Sequence, residues 1–266
     1  MLGGSRIMPS PSFVRLERVS KRFGTGPEVL SGIDAEVGLG EFVSFIGPSG
    51  CGKSTLLRMI AGLIEPTGGT IAIEGRKPAF ATAKYFFVFQ DANLLPWRRV
   101  AANVELPLLL RGDPRADRRL RVQRMLELVG LAEAANKFPW QLSGGMKMRV
   151  SIARALSMTP DLLLLDEPFG ALDEMGRDRL NEDLLAIRQR DPFTAFFVTH
   201  SVSEAVFLST RVIVLAANPG RVAATIEIPF PYPRTAALRE TPEFLERLAE
   251  TSRALRSAAP AAGSAP

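Results

Sequence analysis

The sequence predicts an α/β fold with a mostly parallel sheet covered on both faces, and three observations carry that expectation. Segments with strand and helix character alternate through most of the 266 residues. Leu162 to Leu165 contains no polar residue, the mark of a strand buried on both faces. A glycine-rich loop, Gly47 to Thr55, stands between a strand signal and a helix signal, at the kind of strand end where open α/β sheets carry their ligands.

The elements follow in order. Phe13 to Arg18 alternates apolar and polar residues and reads as a strand, as does Val29 to Val37. Glu41 to Ile46 is a short apolar strand, and Lys53 to about Leu63 the helix after the loop. Thr70 to Glu74 and Tyr85 to Phe89 are rich in β-branched and aromatic residues and read as strands. The stretch 91–158 then changes texture and looks helical. Within it Asp113 to Gly130 places Leu120, Met125, Leu128 and Val129 on one apolar side, and Gly144 to Met158 is a further helix. Alternation resumes with strand Leu162 to Leu165, helix Leu172 to Arg190, strand Thr194 to Thr199 and helix Ser201 to Leu208. That last helix opens on Ser201-x-x-Glu204, a capping-box pattern. Arg211 to Leu215 and Val222 to Ile228 are late strands, and residues 1–11 and 258–266 read as disordered tails.

Composition narrows the class. Hydrophobic residues at 46% supply enough apolar surface to exclude wholesale disorder. One cysteine, Cys51, excludes an intramolecular disulfide framework and fits a reducing compartment. A net charge of +5 permits contact with nucleic acid or an anionic membrane without establishing either. No segment reaches the roughly 18 uninterrupted apolar residues of a membrane span, and no secretory leader is visible. The expectation is a cytosolic protein whose work at a membrane, if any, relies on other subunits for the span.

Gly47-Pro48-Ser49-Gly50-Cys51-Gly52-Lys53-Ser54-Thr55 fits G-x-x-x-x-G-K-[ST]. Phosphate oxygens need many donors converging at short range. Glycines let the backbone N–H groups turn inward, and the helix N-terminus adds favourable dipole charge. Lys53 can reach the β and γ phosphates, and the Ser54 hydroxyl can ligate Mg²⁺. A nucleotide site also needs a second carboxylate beside the metal and a group that activates water. Leu165-Asp166-Glu167-Pro168 supplies both at the end of a buried strand, with Asp166 for the Mg²⁺ shell and Glu167 to orient or deprotonate water. Alone, such an acid pair could simply open a helix; beside a phosphate cradle the catalytic reading is preferred.

A second anion cradle, Leu142-Ser143-Gly144-Gly145-Met146, opens another helix. With it, the chain from about Phe13 to Ile228 resembles the ATP-binding cassette (ABC) ATPases, several of whose motifs appear in the family's order. The resemblance implies a P-loop NTPase core with a mostly parallel sheet, an N-terminal antiparallel β subdomain and an inserted α-helical subdomain. Its expected extent is 12–257, with 12–90 and 159–230 as nucleotide-binding core, 91–158 as helical subdomain and 231–257 as C-terminal extension. It further implies ATP and Mg²⁺, and a head-to-tail pair of cassettes in which Ser143, Gly144 and Gly145 of one contact the γ-phosphate held by the other. Gln90 matches the glutamine that senses Mg²⁺ and the membrane subunit, Asp173 the acidic loop that crosses the dimer seam, and Phe23 the aromatic that stacks on adenine. His200, the sole histidine, follows a strand 33 residues after Glu167 and matches the switch histidine that touches the γ-phosphate. A lone histidine is more often structural, and only this placement reverses that expectation. Three positions depart from the common pattern: Met146 where many members have Gln, Gly170 where many have Ser, and Phe23 where Tyr is common.

Leu94-Leu95-Pro96-Trp97-Arg98, close after Gln90, and Met146 resemble the importer branch that serves nitrate, sulfonate and taurine. The implied protein is the motor subunit of an importer, peripheral on the inner face of the cell membrane. Its partners would be a second ATPase subunit, membrane permease subunits and, indirectly, a substrate-binding protein. An exporter motor, or a soluble ATPase acting on nucleic acid or the ribosome, are the alternatives; nucleic acid is not expected as a partner. Leu94, Leu95 and Trp97 form either an apolar contact for a partner helix or local core. The run Arg115, Arg118, Arg119, Arg121 and Arg124 reads first as a solvated face, second as a contact for anionic lipid. Cys51 is either a small buried residue or a thiol whose alkylation would block nucleotide binding.

Overall fold

The computed structural model describes residues 12–170 and 172–259. Two sheets form its frame. The first joins β1 (Val14–Arg22), β2 (Glu28–Val37) and β4 (Gly68–Ile73) in the antiparallel order β2-β1-β4. The second contains β3 (Phe42–Ile46), β5 (Tyr85–Val88), β6 (Leu162–Asp166), β7 (Thr194–Val198), β8 (Arg211–Ala216) and β9 (Arg221–Glu227). Its order is β5-β6-β7-β3-β8-β9, parallel throughout except for the antiparallel β8–β9 edge.

The central strands show why they read as unbroken apolar runs. In β6, Leu162 and Leu164 join one core while Leu163 and Leu165 join the other; in β3, Val43 and Phe45 oppose Phe42 and Ile46. β7 divides likewise, Phe196 and Val198 against Ala195 and Phe197. Successive side chains of a strand point to opposite faces, so a sheet covered on both sides needs apolar residues at every position. The antiparallel sheet and α1 (Lys53–Ile60) cover one face. The other core gathers α2 (Val100–Arg111), α3 (Arg115–Leu128), α4 (Gly144–Leu156), α5 (Glu174–Arg190), α6 (Val202–Leu208) and α7 (Pro242–Ala258). Phe45 stacks on Phe196 with ring centroids 5.4 Å apart, locking β3 to β7 on the inner side.

Several expectations shift. β1 runs past Arg18 to Arg22 through register irregularities, and α1 stops at Ile60, before a left-handed Gly62. α5 begins at Glu174 rather than Leu172, because the Asp173 side chain accepts the Gly176 N–H at 2.7 Å and caps it. In α3 the apolar face runs through Val122, Met125, Leu126 and Val129, while Leu120 is exposed. Packing against α2 and α4 sets that phase. The arginine run on α3 is only partly a solvated face. Arg118 bonds Glu105 at 2.8 Å, and Arg121 donates to Leu156 O and Ser157 O at 3.1 Å each, closing the C-terminus of α4. α7 carries the C-terminal extension to Ala258, one residue into the stretch read as a tail. The expectations for residues 1–11 and 260–266 lie outside the described residues.

Candidate functional site

The C-terminal ends of β3, β6 and β7 meet beside the N-terminus of α1. The loop between β3 and α1 turns on left-handed glycines, Gly50 with φ 77° and Gly52 with φ 96°. A Cβ on Gly52 would also stand 2.7 Å from Leu30 Cδ2, and one on Gly47 2.5 Å from Leu215 O, so the loop has no room for side chains there. No acidic residue occupies the first turn of α1, which leaves its positive end free for an anion. Lys53 Nζ folds back to donate to Gly47 O at 2.8 Å and Pro48 O at 3.0 Å. The ammonium is thus held inside the loop, poised over the space the backbone encloses.

Ser54 Oγ donates to Asp166 Oδ1 at 2.8 Å, tying α1 to the last residue of β6. Asp166 is buried, which raises its pKa; the Ser54 bond and the Arg58 and Lys53 charges oppose the rise, and Glu167 adds to it. Glu167 adopts a left-handed backbone with φ 48°, a strained choice for a residue with a Cβ, and its N–H bonds Val198 O at 2.9 Å. That turn directs the carboxylate into the cleft, where its Oε2 lies 3.5 Å from His200 Nδ1. The cleft has a volume of about 320 Å³. It is lined by Gly47, Ser49, Gly50, Gly52, Lys53, Ser54 and Thr55 of the loop, by Glu167 and His200, and by Val29.

The remaining expected residues lie elsewhere. Asp166 sits behind Ser54, and the Pro48 carbonyl accepts Lys53 and the Cys51 N–H. The Cys51 side chain is fully buried in the inner core, with its thiol pKa raised by burial, so the reading of a small buried residue holds and the thiol is out of reach. Gln90 is exposed just beyond β5. Phe23 is 51% exposed, with Lys21 Nζ 5.0 Å from its ring centroid. Asp173 caps α5, and Ser143 caps α4 by accepting the Met146 N–H at 3.3 Å. None of Gln90, Phe23, Asp173, Ser143, Gly144 or Gly145 lines the cleft of this one chain. A Cβ on Gly145 would collide with Leu172, while one on Gly170 would meet only Glu167 O at 3.5 Å, so nothing steric requires glycine at 170. Met146 packs partly buried against the main core.

Sequence reading missed Val29, Thr199 and Arg177 around this site. Ser201 does cap α6, accepting the Glu204 N–H at 3.3 Å, but the box does not close. The Ser201 N–H goes to Thr199 Oγ1 at 3.0 Å, and the Glu204 carboxylate takes the Thr199 hydroxyl at 2.5 Å and faces Arg177 at 3.3 Å. The threonine before His200 was the available signal.

The donor set fits a magnesium nucleotide. Ser54 Oγ and Asp166 Oδ1 are hard oxygen ligands already at mutual contact distance, and the loop above them is a cradle of backbone N–H groups that a Cβ would fill. Among the described residues no cluster of three or more His, Cys, Asp or Glu side chains can hold a metal alone. A cation here therefore completes its shell with phosphate oxygens and water, as Mg²⁺ commonly does.

Comparison with known proteins agrees with this geometry. The family model described as ABC transporter matches residues 30–170. The taurine import ATP-binding protein TauB of Pseudomonas entomophila is 43% identical over 241 residues, spanning 88% of this chain and 93% of that protein. The bicarbonate transport ATP-binding protein CmpC of Synechococcus elongatus is 47% identical over 229 residues, which is 84% of this chain but 34% of that longer protein. Among solved structures, a dimeric ATP-binding cassette in a post-hydrolysis state bound to ADP and Pi superposes with a TM-score of 0.74 at 33% identity, over 82% of this chain and 100% of that one. A phosphate loop, an adjacent acid pair, a Ser-Gly-Gly helix start and this topology thus occur together in their family setting: the chain belongs to the ABC transporter family, as one of its ATP-hydrolysing cassettes.

Proposed function

We propose that this chain is the motor subunit of an importer and takes up, through separate permease subunits, a small solute of the nitrate, sulfonate or taurine type. The observation that carries the mechanism is the division of the phosphate-binding groups. Lys53, Ser54, Glu167 and His200 line one cleft, whereas the Ser143-Gly144-Gly145 cradle, with Ser143 and Gly144 exposed and Gly145 buried, opens α4 outside it. One chain then holds half of each reaction centre, and two chains arranged head to tail complete both. The likeness to a dimeric cassette bound to ADP and Pi supports this arrangement.

The roles follow from placement. The loop amides and Lys53 hold the β and γ phosphates, and Lys53 gives up its bonds to Gly47 O and Pro48 O in doing so. Ser54 and Asp166 would hold Mg²⁺, which when bound neutralises charge on the phosphates. Glu167 accepts the proton of the attacking water while the bond between the γ-phosphorus and its bridging oxygen breaks. His200, 3.5 Å from that carboxylate, holds the γ-phosphate and keeps the water in line. The partner's copy of Ser143 and Gly145 donates to the same γ-phosphate from the opposite side. Gln90 and Asp173 link the site to the permease and to the dimer seam, and Phe23 offers an exposed face for the adenine. Residues 12–90 and 159–230 form the nucleotide-binding core, 91–158 the helical subdomain and 231–257 the extension.

The import reading is supported by the names of the taurine and bicarbonate relatives and by the loop after Gln90. There the two readings of the apolar cluster divide: Leu94 packs against the main core while Trp97 stays 70% exposed, a surface for a membrane subunit. No helix among the described residues is long and apolar enough to cross a membrane, and a peripheral position on the inner face is proposed through the permease. Glu167→Gln tests the catalytic reading. It removes the base while keeping shape, so ATP binding should persist and turnover should fall by about 10² or more. Turnover close to wild type would refute the assignment.

A further inference from the structure

The C-terminal segment reaches back to α5 and α6, the helices that follow Asp173 and His200. Arg239 lies in a short helical turn, Ala236–Glu240, outside the residues that match the family model. Its Nη2 stands 2.9 Å from Asp178 Oδ1 on α5, and its Nη1 donates to Ser203 Oγ on α6 at 2.9 Å. The guanidinium lies 4.1 Å over the Phe207 ring. α5 is the helix capped by Asp173, and α6 begins directly after His200. One side chain therefore joins the second turn of the first helix to the first turn of the second.

The same seam carries a second, inner tie. Arg177, beside Asp178, faces Glu204 on α6, and Glu204 holds the Thr199 hydroxyl that in turn accepts the Ser201 N–H. His200 is the residue between those two. The seam is incompletely satisfied: Arg177 Nε and Arg239 Nη2 have no well-aligned acceptor despite their charged neighbours. Asn181, one turn beyond Arg177 on the same face of α5, is fully buried with both amide atoms unpartnered.

We propose that Arg239 is a positioning residue, holding the His200 loop and the Asp173 cap in register through Ser203 and Asp178 so that His200 meets the γ-phosphate while Asp173 meets the dimer seam. The proposal rests on the motor reading above. It gives the extension a role in the rate of hydrolysis, separate from nucleotide capture, because Arg239 touches neither the phosphate loop nor the cleft.

The test uses the full chain and its Arg239→Ala, Arg239→Lys and Asp178→Ala variants, with the Arg239→Ala/Asp178→Ala double. Arg239→Ala should lower kcat about fivefold while leaving KM within about twofold, the split expected when positioning rather than binding is lost. Arg239→Lys keeps one charged contact and should recover part of the loss. The double variant should be no slower than the slower single, because both substitutions cut one tie. Amide exchange of residues 199–206 should quicken in Arg239→Ala without nucleotide, a readout independent of turnover. An unchanged kcat, a change confined to KM, or additive losses would overturn the proposal, as would unchanged exchange. A wild-type chain without ATP turnover would instead count against the motor reading, and the exchange experiment would still decide the tie.

Discussion

Replacing Arg234 by methionine removes the group that closes the C-terminal end of α6. Its Nη1 donates to Val206 O at 3.3 Å, Phe207 O at 2.7 Å and Ser209 O at 2.9 Å, and its Nε and Nη2 both reach Phe230 O. The guanidinium is buried, stacks 4.2 Å from the Tyr232 ring, and has its pKa lowered by burial. Methionine keeps much of the apolar volume and abolishes every one of those bonds. Four carbonyls lose their donor, and relief of the buried charge offsets about one of them, so the net cost is that of about three orphaned acceptors. At about 1 kcal/mol for each orphaned acceptor, the variant should lose about 3 kcal/mol. For a domain of this size that is a fall in Tm of about 6–12 °C. Urea unfolding followed by circular dichroism, with Tm as a second readout, measures it. Arg234→Lys should recover less than half, because one ammonium cannot serve both Phe230 O and the α6 carbonyls. Nucleotide affinity should not move, since Arg234 lies outside the cleft. A loss below about 1 kcal/mol would refute the reasoning that these carbonyls depend on one donor.

Other outcomes follow from the site. Asp166 has a folded-state pKa raised by burial, so the folded chain holds its proton more firmly than the unfolded one. Its contribution therefore favours folding increasingly as pH falls through the window between the raised folded value and the unfolded value of about 3.9, and is unfavourable above it. Asp166→Asn should accordingly be more stable than wild type near pH 7 without nucleotide, by a margin that shrinks toward pH 4; a margin independent of pH would contradict this. Cys51 should resist alkylation in the folded chain with or without ATP, and become labelled only as urea unfolds it. Fast labelling of the native chain would contradict a thiol buried behind the loop. The kcat loss in Arg239→Ala and the stalled turnover of Glu167→Gln complete the set.

The parts of the fold that were legible are those whose burial leaves no choice of residue. β6 is apolar at every position up to Asp166 because both its faces are covered, and the Gly47–Thr55 loop must carry glycine where a Cβ would strike Leu30 or Leu215. Asp166 and Glu167 were legible by position at a strand end, and His200 only through its match to the family pattern. α2 was harder to see: Pro107 lies inside it and its apolar residues do not keep to one stripe. α7 announced itself only by Thr241-Pro242-Glu243, a cap, a first-turn proline and an acid. Leu120 and the α3 arginines were misjudged because tertiary contacts, here Glu105 and the end of α4, chose the phase and the partners. The Ser143 cradle was legible as a motif. It lies outside the cleft of this one chain, and under the proposed head-to-tail pairing its ligand is held by a second copy.

The most direct test of that division is the oligomeric state of Glu167→Gln chains in the presence of ATP. Sedimentation velocity should show a dimer that falls apart to monomers when ATP is removed. The Glu167→Gln/Ser143→Arg double variant should bind ATP with similar affinity and remain a monomer, because its phosphate loop is intact while the cradle it offers to a second chain is blocked. A double variant that still dimerises with ATP, or a Glu167→Gln chain that stays monomeric at saturating ATP, would contradict a reaction centre shared between two copies.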